Sequence, residues 1–173
     1  AHIEAELQRL GFQPRRVARI DAATPEPPEH LGGLFIVAPR QPRPDFLKDA
    51  FAWLQRAAGP LRAAGRVGGA ALVTVSRLDG AFGFGTPAVG ASETFETSAI
   101  SGGLAGLTKT AALEWPEVHA KAIDIDSASP EGEGLVAANV AEAIVAEALV
   151  EGPVEVGIRD GRLTTLHLTA DPE

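Results

Sequence analysis

The hexapeptide "GFGTPA", Gly83 to Ala88, carries the spacing Gly-x-Gly-x-x-Ala. Where such a run joins a strand to a helix, its amides hold a pyrophosphate against the helix N-terminus. That chemistry makes Gly83 and Gly85 the cofactor-binding candidates of the chain. The context departs from what the chemistry needs. Six residues separate the motif from the apolar run that ends at Ser76, and the next helical pattern begins several residues beyond Pro87. No acidic residue closes a second strand to hold a ribose, so a plain loop is the simpler reading.

Other reactive side chains are scattered. The four histidines, His2, His30, His119 and His167, fall on different elements without metal-ligand spacing. His2 and His30 read as solvent-exposed, and His119 and His167 as surface or edge positions on strands. Ser76 ends a buried strand, where open α/β sheets place catalytic hydroxyls. No base is visible beside it, and a strand-end hydrogen bond is the plainer role. Asp124 and Asp126 share one face of a strand. They read either as paired carboxylates or as caps on the following turn. Cysteine is absent, which removes disulfides, thiolate metal sites and cysteine nucleophiles.

The elements that must position these residues follow from periodicity. "HIEAELQRLGF" is helix-forming and stops at Gly11, and "RRVARI" reads as a short strand ending at Asp21. The proline-rich "ATPEPPEH" is loop. "GLFIVA" and "GGAALVTVS" are continuous apolar runs, as expected for strands covered on both faces. Between them Leu47, Ala50, Phe51, Leu54, Ala58 and Leu61 form one helical stripe, with Pro60 expected to kink the helix or end its regular part.

Arg77 to Glu93 reads as a long glycine-containing loop. A helix follows with Ile100, Leu104, Leu107 and Ala111 on one face, and the glycines of "GGLAG" (Gly102 to Gly106) imply close packing against a neighbour. "HAKAIDID" is a strand. "GLVAANVAEAIVAEALVEG" is a helix with Val136, Val140, Ala143 and Ile144 inward, closed by Gly152. Asp160 and Gly161 then mark a hairpin turn between two strands.

Buried strands alternating with amphipathic helices imply an α/β fold: a truncated Rossmann-like parallel sheet with helices on both faces. The 173 residues suit one domain, taken as 1–168 with 169–173 as a tail or linker. The formal charge is −8 and the basic residues are dispersed, including the two arginines of the turn "PRQPRP", which argues against a nucleic-acid partner. No apolar run approaches the ~20 residues of a membrane span, and the charged start is unlike a signal peptide. A cytoplasmic setting is the expectation.

"SGGLAGLTKTAALEWPEVHAKAIDID" (Ser101 to Asp126), with "PVEVGIRDGRLTTLHL" (Pro153 to Leu168), resembles the ketoreductase region of type I polyketide and polyunsaturated-fatty-acid synthases. The resemblance covers residues 33 to 168 well and the first 30 loosely. It implies a short-chain-dehydrogenase-like fold. Such ketoreductases consist of a truncated structural half followed by a catalytic half that binds NADPH.

The catalytic helix of that class carries Tyr-x-x-x-Lys. In this register Thr97 stands at the tyrosine position and Ser101 at the lysine position, and the catalytic serine of the strand end falls near Arg77. The chain contains no tyrosine at all. The reduction needs a phenol to give its proton to the developing alkoxide and an ammonium to lower that phenol's pKa. Threonine and serine supply neither.

The resemblance therefore implies the structural half, with no catalytic residue, no metal and no cofactor in this chain. NADPH is expected in a catalytic ketoreductase subdomain, which with other domains of the same synthase is the expected partner. The alternative is an atypical nucleotide-binding dehydrogenase fragment, working through "GFGTPA" or an upstream loop. A third reading is a stand-alone Rossmann-like interaction module.

Overall fold

The computed structural model describes residues 2–17, 24–85, 95–126 and 138–169. In chain order its elements are α1 (His2–Arg9), β1 (Gly33–Val37), α2 (Phe46–Val67), β2 (Ala71–Ser76), α3 (Phe95–Glu114), β3 (His119–Ile125), α4 (Ala138–Ala148), β4 (Glu155–Arg159) and β5 (Arg162–Thr164). The strands form one sheet in the order β1-β2-β3-β4-β5, parallel from β1 to β4, with β5 antiparallel at the end. This is an α/β, Rossmann-like architecture in a short form.

Side-chain alternation divides the core between the two faces. Val73, Val75, Ile123, Ile125 and Ile158 point to one face, where Ala141, Ile144 and Ala148 of α4 cover them and Ile3 of α1 packs alongside. Leu72 and Ala120 point to the other face, against Leu54, Ala57 and Leu61 of α2 and Ala111 of α3. On that second face the Thr108 hydroxyl donates to the Leu104 carbonyl at 3.0 Å, so it accepts the buried Thr74 hydroxyl at 2.6 Å. The pair ties α3 to β2 without leaving either oxygen unsatisfied.

Strand order and helix placement together fix an unusual connection. The chain advances one strand at a time from β1 to β4, yet α2 and α3 lie on one face and α4 on the other. The β3-α4-β4 crossover therefore has the opposite hand to the two before it, whereas parallel crossovers in one sheet nearly always share the right hand. Among the described strands the order also never reverses, so they form no switch point of the kind that opens a ligand crevice in doubly wound folds.

Several elements differ from what the sequence suggests. Arg15 to Val17 are irregular rather than strand, and Ala18 to Ile20 lie outside the described residues. Two adjacent arginines cannot both face water in an alternating strand, and both are exposed here. β1 is an edge strand, and only Ile36 within it is fully buried.

α2 runs through Pro60 instead of stopping there, because burial of Leu54, Ala57 and Leu61 around it outweighs one forfeited backbone bond. Trp53 and Ala57 join its buried stripe, while Phe51 is exposed and Ala58 only half-buried. α4 ends at Ala148, before Gly152. It buries Ala141, Ile144, Val145 and Ala148, leaving Val140 and Ala143 half-covered, and Val136 lies outside the described residues.

His167 follows β5 in exposed irregular chain rather than in a strand. The hairpin turn is as the sequence implies: Asp160 and Gly161 take φ of +50° and +70°, the twist a two-residue connection requires. Among the described residues no helix is long and apolar enough to cross a membrane.

Candidate functional site

Parallel sheets bring their chemistry to the carboxyl ends of the strands. Here that edge collects Ser76 and Arg77 from β2, the loop Leu78 to Gly85, Asp124 and Asp126 from β3, and Arg159 from β4. Ser76 and Asp124 are register partners across β2 and β3, and even spacing points both to the α3 face. The Ser76 hydroxyl donates to Asp124 Oδ1 at 2.8 Å, and both residues are buried.

Asp124 organises the loop that follows β2. Its Oδ1 also accepts the Leu78 amide at 2.9 Å, and its Oδ2 accepts the amides of Phe82 at 3.0 Å and Asp79 at 3.3 Å. Burial pushes its carboxyl above the ordinary range, against the pull of those donors. Phe82 holds a φ of +56°, a left-handed value uncommon outside glycine, and its amide is one of the groups Asp124 fixes.

A second carboxylate closes the rest of the loop. Asp79 Oδ1 accepts the amides of Ala81 at 2.9 Å and Gly83 at 2.8 Å, and its Oδ2 accepts Gly85 at 2.8 Å. Burial alone would raise the Asp79 carboxyl, but the Gly83, Ala81 and Gly85 amides outweigh it and hold the group below its ordinary value. A Cβ on Gly85 would stand 2.6 Å from Asp79 Oδ2 and 2.8 Å from an Arg159 nitrogen.

That arrangement bears directly on a nucleotide. The amides of Gly83 and Gly85, which a phosphate loop would turn toward a ligand, already serve an internal anion. A pyrophosphate would have to displace Asp79 and then sit beside its charge. The described residues of this loop do not fit the cofactor. The rest of the motif, Thr86 to Ala88, lies outside the described residues.

The other candidates separate. Ser101 is buried in α3 with 3% exposure. Thr97 lies within α3, but its side chain is outside the described part. Asp126 bridges to Asp79 through the backbone and lies 4.0 Å from Arg159. His119 starts β3 at the opposite edge, with Nε2 buried and lacking a hydrogen-bond partner. Among the described residues no three histidines, aspartates or glutamates gather as metal ligands would.

Sequence reasoning passed over three groups. Asp79 had a usable signal, an aspartate directly ahead of closely spaced glycines, the setting in which a side chain caps its own loop. Arg77 is buried to 6% exposure with no carboxylate partner among the described residues. Lys121 has a fully buried side chain on the α4 face, paired with Glu147 at 3.3 Å. Nothing in the local pattern of "HAKAIDI" distinguishes that lysine from an exposed one.

A cleft of about 260 Å³ lies at the amino end of β4, between Glu147, Val150, Pro153 and Leu163. It shares no residue with the carboxyl edge. Comparison with models of known families, with curated proteins and with solved structures gives no match for this chain.

Proposed function

We propose that this chain is the non-catalytic structural half of a polyketide-synthase-type ketoreductase. In this reading it packs on and stabilises an NADPH-dependent catalytic half that reduces β-ketoacyl groups held on a carrier protein. It works in the cytoplasm beside the other domains of the same synthase. One observation carries the reading: at the edge where such folds do chemistry, the described loop after β2 is closed on itself. Asp79 occupies the Gly83 and Gly85 amides, and the Ser76 hydroxyl is committed to Asp124.

The positions of the expected proton donor and cation support it further. They hold Thr97 and the buried Ser101, so neither an acidic phenol nor an ammonium is available there. What remains is a sheet whose loop from Leu78 to Gly85 is held by the internal carboxylates Asp79 and Asp124. That suits a supporting role better than turnover.

The experiment is a ketone-dependent NADPH oxidation assay on the chain alone. The proposal expects a rate equal to buffer, both for the wild type and for a Gly85→Val variant. A measurable wild-type rate that the variant abolishes would instead establish a nucleotide-binding dehydrogenase.

A further inference from the structure

We propose that Arg77 forms an oxyanion site at the carboxyl edge of the sheet, taking a phosphate or carboxylate group. Arg77 follows β2 directly and its Nε donates to the Ala38 carbonyl at 3.0 Å, just beyond the end of β1. That bond holds the guanidinium across the edge of the sheet and uses one of its five N–H donors.

The remaining fork is unassigned. Among the described residues, neither Nη nitrogen of Arg77 has a protein acceptor and no carboxylate pairs with it. Neither Nη is sealed away: the buried side-chain nitrogen without a partner is His119 Nε2. Two parallel N–H groups without a protein acceptor match the paired oxygens of a carboxylate or phosphate.

Electrostatics favours an external anion. Burial lowers the pKa of Arg77, and the charge of Arg40 adds to that shift. A guanidinium does not discharge by losing its proton in a protein. A buried cation beside a like charge is costly, and a bound counter-anion relieves that cost. The acids at this edge are committed elsewhere: Asp79 and Asp124 to loop amides and Ser76, and Asp126 toward Arg159. Asp79 and Arg77 thus divide the edge, one closing the glycine loop to anions and the other open to them.

The test is calorimetric titration of the full chain, at low ionic strength, with inorganic phosphate and separately with succinate. Saturable binding of either probe is expected, and the probe that binds identifies the class of oxyanion. Arg77→Gln should weaken it by at least about tenfold, the worth of a charged hydrogen-bond pair.

Arg66→Gln, in α2 beside Glu117, should leave affinity unchanged. If Arg77→Gln does not fold, Arg77→Lys keeps the charge without the fork and should still weaken binding. Absence of saturable wild-type binding by both probes overturns the proposal. So does unchanged affinity in a folded Arg77→Gln, or in Arg77→Lys where Arg77→Gln does not fold.

Discussion

The Ser76 hydroxyl lies 2.8 Å from the Asp124 carboxylate, its register partner one strand away, and both are shut off from solvent. A strand end of an open α/β sheet is where enzymes of that architecture often present a catalytic hydroxyl. Here the proton of that hydroxyl points into the protein, and its acceptor also holds three loop amides. The pair is a structural fastener, and its consequences are measurable.

Replacing Asp124 with asparagine keeps the shape but puts an NH₂ where only donors converge. Asp124→Asn should cost about 2–4 kcal/mol in urea denaturation, since at least one buried amide loses its acceptor. Ser76→Ala removes a single donor and should cost about 1 kcal/mol. Amide exchange at Leu78 and Phe82 should accelerate in Asp124→Asn. A loss below about 0.5 kcal/mol, the size of an ordinary surface change, would contradict the fastener role.

Asp79 gives the loop a pH dependence with a definite sign. Its folded carboxyl lies below the ordinary value of 3.8, so its contribution is complete above that value and lost as pH falls through the folded one. Glu117, lowered by the Arg62 guanidinium, acts in the same direction from an ordinary value of 4.5. Asp124 acts oppositely, because its raised carboxyl favours the fold in acid and loses that contribution as pH rises through its folded value. Asp79→Asn should therefore be less stable than the wild type at pH 7, with the gap narrowing toward pH 3. A gap that stays constant between those conditions would count against the Asp79 cap.

The glycines of α3 divide by what surrounds them. A Cβ on Gly103 would run into the Leu47 side chain of α2, whereas one on Gly102 or Gly106 meets nothing. Gly102→Ala and Gly106→Ala should each stabilise the protein by about 0.5–1 kcal/mol through helix propensity. Gly103→Ala should gain less or lose stability, because Leu47 must move. A Cβ at Gly157 would collide with the Gly80 carbonyl, so Gly157→Ala should cost about 1–3 kcal/mol as overpacking does. Thermal denaturation of the four variants gives the ranking.

Lys121 and Glu147 form an ion pair that the fold must satisfy. Glu147→Ala leaves a fully buried ammonium without its carboxylate and should cost about 3–5 kcal/mol. Lys121→Met replaces the cation by an apolar chain of similar length and should be close to neutral. Equal losses in the two variants would mean that the pair itself, rather than the stranded charge, carries the energy.

The large elements were legible because their signals are local. "GLFIVA", "GGAALVTVS" and "HAKAIDID" are strands, Gly11 closes α1, and the Asp160-Gly161 turn joins β4 to β5. Where reasoning failed, the deciding term was tertiary. "RRVARI" has strand-like residues but is irregular over its described part, and Pro60 is absorbed by α2 because the neighbouring turns are buried. The site was less legible still. Glycine spacing flagged Gly83 and Gly85, but the carboxylate that takes their amides comes from Asp79, whose role appears only once the loop folds back. The buried states of Arg77 and Lys121 depend on which sheet face each occupies, which no local pattern records.

In the proposed reading, the glycine loop at this edge of the sheet is closed to a nicotinamide cofactor, because Asp79 takes the Gly83 and Gly85 amides. Calorimetric titration of NADPH into the purified chain tests it most directly. The account predicts no saturable heat at micromolar concentrations, in the wild type and in Gly85→Val alike. Stoichiometric micromolar binding by the wild type, lost in Gly85→Val, would contradict it.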